Sequence, residues 1–158
     1  MKILYCFVAM GLALIAAGPM AFAQDSLPAA FSGMFRGTLS GTTGETGAEF
    51  TVQIKQDGDG FTVAWPPRIS ASFESAGRPG VFRASGNSQI LEGEPVYWAR
   101  IENEILTVYA AQIDEHGGYR IDNFLYTPSE GGLDLVIRHV VTGAEPQVSN
   151  GKLNRYGG

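Results

Sequence analysis

Cysteine is almost absent from this chain: the one thiol, Cys6, lies within the first ten residues. A disulfide within the chain is therefore excluded, and burial and strand pairing must hold the fold. Histidine is nearly as scarce, with only His116 and His139. Zinc needs three or four nitrogen or sulfur ligands, and no spacing here supplies them, so no metal is expected. Positive charge is also thin, with 11 Lys and Arg against 16 Asp and Glu, and the arginines are scattered singly. Without a basic patch, nucleic acid and anionic membrane surfaces are poor partners.

The recurrent motifs of catalysis are missing too. There is no phosphate loop, no Gly-x-Ser-x-Gly elbow, and no serine in a recognisable frame with a histidine. Asp57-Gly58-Asp59-Gly60 matches the start of a calcium loop, but the twelfth position is Arg68 where a bidentate Glu is required. A turn explains it. The carboxylate pairs Glu92/Glu94, Glu102/Glu104 and Asp114/Glu115 each fall near a turn, where carboxylates serve solubility. His116 sits in such a turn as well. The expectation is a non-enzymatic protein without a cofactor.

The one long apolar run is Ile3 to Ala17, preceded by Lys2 and followed by Gly18-Pro19 and Ala21-Phe22-Ala23. A charged start, an apolar helix too short for the ~20 residues of a bilayer span, and a small-x-small site together describe a cleavable signal peptide. No lipoprotein signature precedes Cys6. Cleavage after about Ala23 would send a single domain to the periplasm or the outside, not embedded in a membrane. It would remove the only cysteine and leave 10 basic residues against 16 acidic. The expected organisation is signal peptide 1–23, lead-in 24–30 and one β-barrel domain 31–158.

From Phe31 onward the dominant period is two, the mark of strands with one buried face. Phe31, Gly33, Phe35, Gly37 and Leu39 alternate with Ser32, Met34, Arg36, Thr38 and Ser40; Phe50, Val52 and Ile54 alternate with Thr51, Gln53 and Lys55, and Phe61, Val63 and Trp65 with Thr62 and Ala64. Pro66-Pro67 ends that ladder. Weaker alternation follows at Ile69, Ala71 and Phe73 and at 81–85, separated by a loop at 76–80. Longer strands cover 96–102, 105–114, 119–127 and 133–141, and Asn150-Gly151 reads as a hairpin turn into a last strand, 152–156. These make about eight or nine strands joined by short turns, with no helix after the signal peptide. Strands linked in this way pair with their neighbours, and so many must close or split into two sheets. The fold class is all-β. An antiparallel up-and-down barrel is expected, since no long Greek-key crossover is visible, with a β-sandwich as the alternative.

Parity assigns the faces. Leu133, Leu135 and Ile137 lie opposite Asp134 and Arg138, which puts the leucines, and with them His139 and Val141, inside. Tyr119, Ile121, Asn123 and Leu125 oppose Arg120, Asp122, Phe124 and Tyr126, and the charges mark the first set as inward. The central hairpin stays open. A two-residue turn at Asn103-Glu104 pairs Trp98 with Tyr109 and turns Tyr97, Ala99, Ile101, Leu106, Val108 and Ala110 inward. A three-residue turn would instead group Tyr97, Ile101, Ile105 and Tyr109.

A barrel of this size holds packed side chains or one small apolar ligand. Phe35, Phe50, Trp65 and Tyr119 are candidate lining residues, with Asn123 and His139 as inward polar groups. Gly33-Met34-Phe35 near the start and Arg155 near the end resemble the paired motifs of lipocalin-like (calycin) barrels. There a Gly-x-Trp opens the first strand and a late arginine packs across its ring at the closed end. Here Phe stands for Trp, and the Thr-Asp-Tyr-type motif is missing. The resemblance implies structural roles for Gly33, Phe35 and Arg155, and a barrel that captures a ligand. The function expected is binding of a small apolar or amphipathic molecule. The alternative is a protein-interaction module, such as an exported inhibitor of a protease or other hydrolase, acting through its lead-in or loops. An enzyme at the barrel mouth would require His139, Arg138 and Asp122 to converge, and parity separates His139 from Arg138.

Overall fold

A computed structural model describes residues 26–41, 47–67, 69–86 and 89–157. The expected signal peptide and the first two lead-in residues lie outside the described residues. Ten strands follow a 3-10 turn, Ala29–Phe31, and a second such turn, Ile90–Glu92, lies between the fifth and sixth: β1 (Gly33–Gly41), β2 (Glu49–Asp57), β3 (Gly60–Trp65), β4 (Ile69–Arg78), β5 (Val81–Ala84), β6 (Val96–Glu102), β7 (Ile105–Ile113), β8 (Tyr119–Ser129), β9 (Gly132–Val141) and β10 (Gln147–Tyr156). Each pairs antiparallel with the next, and β1 pairs with β10 to close the barrel. This is the expected up-and-down architecture, calycin-like in form, with no sandwich. Among the described residues no helix is long and apolar enough to cross a membrane.

Each of the ten alternating segments named from the sequence is a strand, the two weak ones included, so the count of eight or nine was low. β4 runs to Arg78, past the expected loop start, but its register with β5 shifts between Ser75 and Arg78. A bulge of this kind destroys the alternation that sequence reading depends on. Asn150-Gly151 is a second correction. The pair is not a turn but lies inside β10, opposite Val136 and Leu135. Gly151 serves packing there: a Cβ would sit 3.0 Å from Leu39 Cδ2 and 3.1 Å from the Thr38 carbonyl oxygen.

The central hairpin takes the two-residue turn. Asn103 and Glu104 both have positive φ, 50° and 61°, which gives the twist that a tight hairpin needs. Glu102 then pairs with Ile105, Ala99 with Val108 and Ile101 with Leu106. Ala99, Leu106 and Val108 are fully buried, while Trp98 and Tyr109 stack on the outer surface with centroids 4.9 Å apart.

β8 faces the other way from the expectation. Tyr126 is fully buried, Phe124 packs on the core, and Asp122, Phe124 and Tyr126 pair with His139, Ile137 and Leu135 of β9. Paired residues share a face, so Arg120 and Asp122 are inside and Tyr119, Ile121, Asn123 and Leu125 are outside. Charge marks the outer face only where the inner face is dry. These two charges sit near the open end, where the interior meets water.

The closed end is filled. Phe61 stacks on Phe73 with centroids 4.9 Å apart and meets Phe82 edge-on at 5.0 Å. Leu27 of the lead-in and Phe31 just after it are buried against the same core. Arg155 secures them: its guanidinium lies 4.7 Å from the Phe35 ring centroid. One terminal nitrogen donates to the Ala30 carbonyl at 3.1 Å and the other to the Ser32 carbonyl. Gly33 makes this possible, since a Cβ would collide with the Arg155 guanidinium. The three residues singled out by the resemblance therefore act as one clamp. Arg155→Ala removes the ring contact and the bonds to the Ala30 and Ser32 carbonyls. A loss of about 1–3 kcal/mol is expected, with the exposed side chain favouring the lower half. Urea unfolding checks it, and Arg155→Lys should recover little, because an ammonium lacks the planar fork.

Candidate functional site

The filled part of the barrel ends at a buried hydrogen bond, in which Trp65 Nε1–H donates to the Tyr126 hydroxyl at 2.9 Å. Toward the open end the Trp65 ring meets Phe124 at 5.2 Å and Tyr97 at 6.2 Å, and Phe124 reaches Phe50 at 6.4 Å. Above this aromatic layer the barrel widens into a cleft of about 280 Å³. Leu39, Phe50, Phe124 and Ile137 give it an apolar wall, and Arg120, Asp122, His139, Gln147 and Ser149 supply polar groups.

Asp122 is the centre of the polar side. It lies two residues from Arg120, hence on the same face, and directly across from His139. Its Oδ2 accepts from Arg120 Nε at 2.9 Å, and its Oδ1 is bonded to His139 Nδ1. An ionised carboxylate only accepts, so the shared proton belongs to Nδ1 and the other ring nitrogen, Nε2, is left for other partners. The Asp122 side chain is 13% exposed and that of Arg120 58% exposed. One carboxylate thus orients a guanidinium that is largely in water and a half-buried imidazole.

Tyr97 joins this group from β6. Burial pushes its hydroxyl above the ordinary value, the Asp122 charge pushes it further, and Arg120 opposes both. It therefore remains a neutral hydrogen-bonding group at and above physiological pH. Tyr97 lines a second cleft of about 250 Å³, with Ile69, Pro95 and Gln112, on the other side of Arg120 and Asp122. The charged pair is shared by both clefts.

Tyr126 carries a stability consequence. Complete burial drives its hydroxyl upward, only partly offset by the hydrogen bond from Trp65. A group with a raised folded-state pKa contributes its full stability below the unfolded value, near 10, and loses it as pH climbs from there towards the folded value. Between those limits stability should fall by about 1.4 kcal/mol per pH unit from this residue. Melting temperatures followed from pH 9 to 11.5 test this. Tyr126→Phe should flatten the slope while lowering stability at neutral pH by about 1–3 kcal/mol, because the buried indole N–H loses its acceptor.

Of the expected lining residues, Phe50 and His139 border the cleft and Trp65 forms its floor. Phe35 instead belongs to the closed-end clamp. Tyr119 is 47% exposed at the rim, not inside. Asn123 is on the outer face beside Tyr109, where its Oδ1 is buried without a partner. Both corrections follow from the phase of β8. Arg138 is outside, so the convergence an enzyme would need is met by His139 and Asp122 but not by Arg138. Sequence reading missed Arg120, Asp122, Phe124, Gln147 and Ser149 as cleft residues. The available signal was the pair of large aromatics, Phe124 and Tyr126, in phase with the two charges. Asp122 and His139 offer two ligands to a metal, and no third Asp, Glu, His or Cys among the described residues joins them.

No family model matches the chain, and neither a curated protein nor a solved structure matches it.

Proposed function

We propose that this protein is an exported, non-enzymatic binding barrel that holds one small amphipathic molecule at its mouth. The observation that carries the reading is the cleft of about 280 Å³, where an apolar wall meets oriented polar groups above an otherwise filled barrel. Apolar pockets with a few convergent polar side chains are the usual form of small-molecule sites, at roughly 300–1,000 Å³. This one falls just below that range and opens to solvent, so the ligand is compact and keeps one end wet. The resemblance to lipocalin-like barrels, carried by Gly33, Phe35 and Arg155, points the same way. An inhibitor acting through its lead-in has less support, because Leu27 and Phe31 are packed into the core and not presented to a partner.

Native mass spectrometry of the protein recovered from its own cell envelope tests the reading. A bound mass of a few hundred daltons is the expected result. A ligand present at about 100 times its Kd should also stabilise the fold by about 2.7 kcal/mol. Recovery of the unliganded chain, or of a co-purifying protein with no small molecule, would count against the cleft as the functional site.

A further inference from the structure

The charge arrangement in the mouth says what the wet end of the ligand should be, given the binding reading above. Asp122 is already served by Arg120 Nε and His139 Nδ1. Arg120, by contrast, has only its Nε engaged. No acceptor among the described residues meets its terminal nitrogens, which form the planar fork that matches a carboxylate. Arg120 also lies where both clefts meet, beside the neutral Tyr97 hydroxyl and across β9 from Gln147.

A cationic head would have to displace Arg120 or His139 from Asp122, and it would face the guanidinium as a like charge. A dianionic phosphate would exceed what the single open cation can neutralise in a half-buried cleft. One negative charge on a flat group fits. The rim does carry other carboxylates, but Asp114 Oδ1 is occupied by the backbone N–H groups of His116 and Gly118, and Glu94 accepts from the Gln89 backbone N–H. These are exposed, and salt screens exposed charges over about 8 Å at physiological ionic strength. They act on the approach of the ligand more than on its bound state.

We propose that the mouth selects an amphipathic monocarboxylate. Arg120, positioned by Asp122, takes the carboxylate, and the tail lies against Phe50, Phe124 and Ile137. The test is calorimetric titration of the exported chain with three probes of one tail, octanoate, octanol and octylamine. Octanoate should bind at least ~10-fold tighter than octanol, about 1.4 kcal/mol, with octylamine weakest. Arg120→Gln should bring the octanoate-to-octanol ratio close to one, and Arg120→Lys should give an intermediate ratio. Melting curves confirm that each variant is folded. Equal affinities for the three probes, or a preference for the amine, would overturn the carboxylate assignment and leave the cleft reading standing. A preference for octanoate that survives Arg120→Gln would overturn the role of Arg120. Failure of all three probes to bind would overturn the cleft reading and the assignment together.

Discussion

Phe61→Ala is expected to lower the unfolding free energy by about 3–5 kcal/mol, the usual cost of removing a fully buried phenylalanine. Phe61 is completely inaccessible, pairs across the sheet with Phe73, and holds both Phe73 and Phe82 within about 5 Å of its ring centre. Its loss removes two aromatic contacts and leaves a void that β3 and β4 are too constrained to close. A single domain of this size has roughly 5–15 kcal/mol in total, and no disulfide among the described residues limits the unfolded state. The melting temperature should drop by roughly 10–20 °C. Urea unfolding with an unchanged m-value would confirm that stability alone has changed. A loss under ~1 kcal/mol would show that the closed end is loosely packed.

Ile137→Trp is expected to do the reverse: to abolish binding while sparing the fold. Ile137 is half-buried on β9, between Phe124 of β8 and Ser149 of β10, and it borders the main cleft. An indole there enters an open cleft, not a packed core, so stability should move by less than ~1.5 kcal/mol. The space for the tail is lost, and affinity for the endogenous ligand or for octanoate should fall at least ~100-fold, about 2.7 kcal/mol. Thermal shift with and without ligand reads both quantities in one assay. Full affinity with normal stability would place the ligand elsewhere, the second cleft beside Tyr97 being the next position to block.

What was legible in the sequence follows a physical line. Phe61, Val63 and Trp65 face inward because they alternate with Thr62 and Ala64 inside a short strand bounded by turns. The same local rule placed Leu133 and Leu135 inside. Arg155 was legible for another reason: a glycine two residues before an aromatic, matched by a late arginine, describes a clamp whose parts are chemically specific. The phase of β8 was not legible. Ile121 and Leu125 are as apolar as an inward face requires, and the charges of Arg120 and Asp122 supplied a misleading sign. Only the pairing with β9, which sets Asp122 opposite His139, reveals that those charges look into the mouth. Asn150-Gly151 failed in a similar way. The dipeptide has the conformational freedom of a turn, but here the glycine is used for the space it leaves to Leu39.

The sequence by itself determined that the fold is all-β and antiparallel, cross-linked by no disulfide, with neighbours pairing in order; that the sheet closes on itself instead of splitting into a sandwich was decided by the β1–β10 pairing. Alternation and turn chemistry are local, and they survive without knowledge of partners. Only the tertiary structure decided which of two equally alternating faces is interior near an open end, and therefore which residues form the site. That choice depends on register, a relation between strands that a one-residue slip reverses. Arg120 and Asp122, which read as surface charges along the chain, become the polar wall of the cleft once β8 is set against β9.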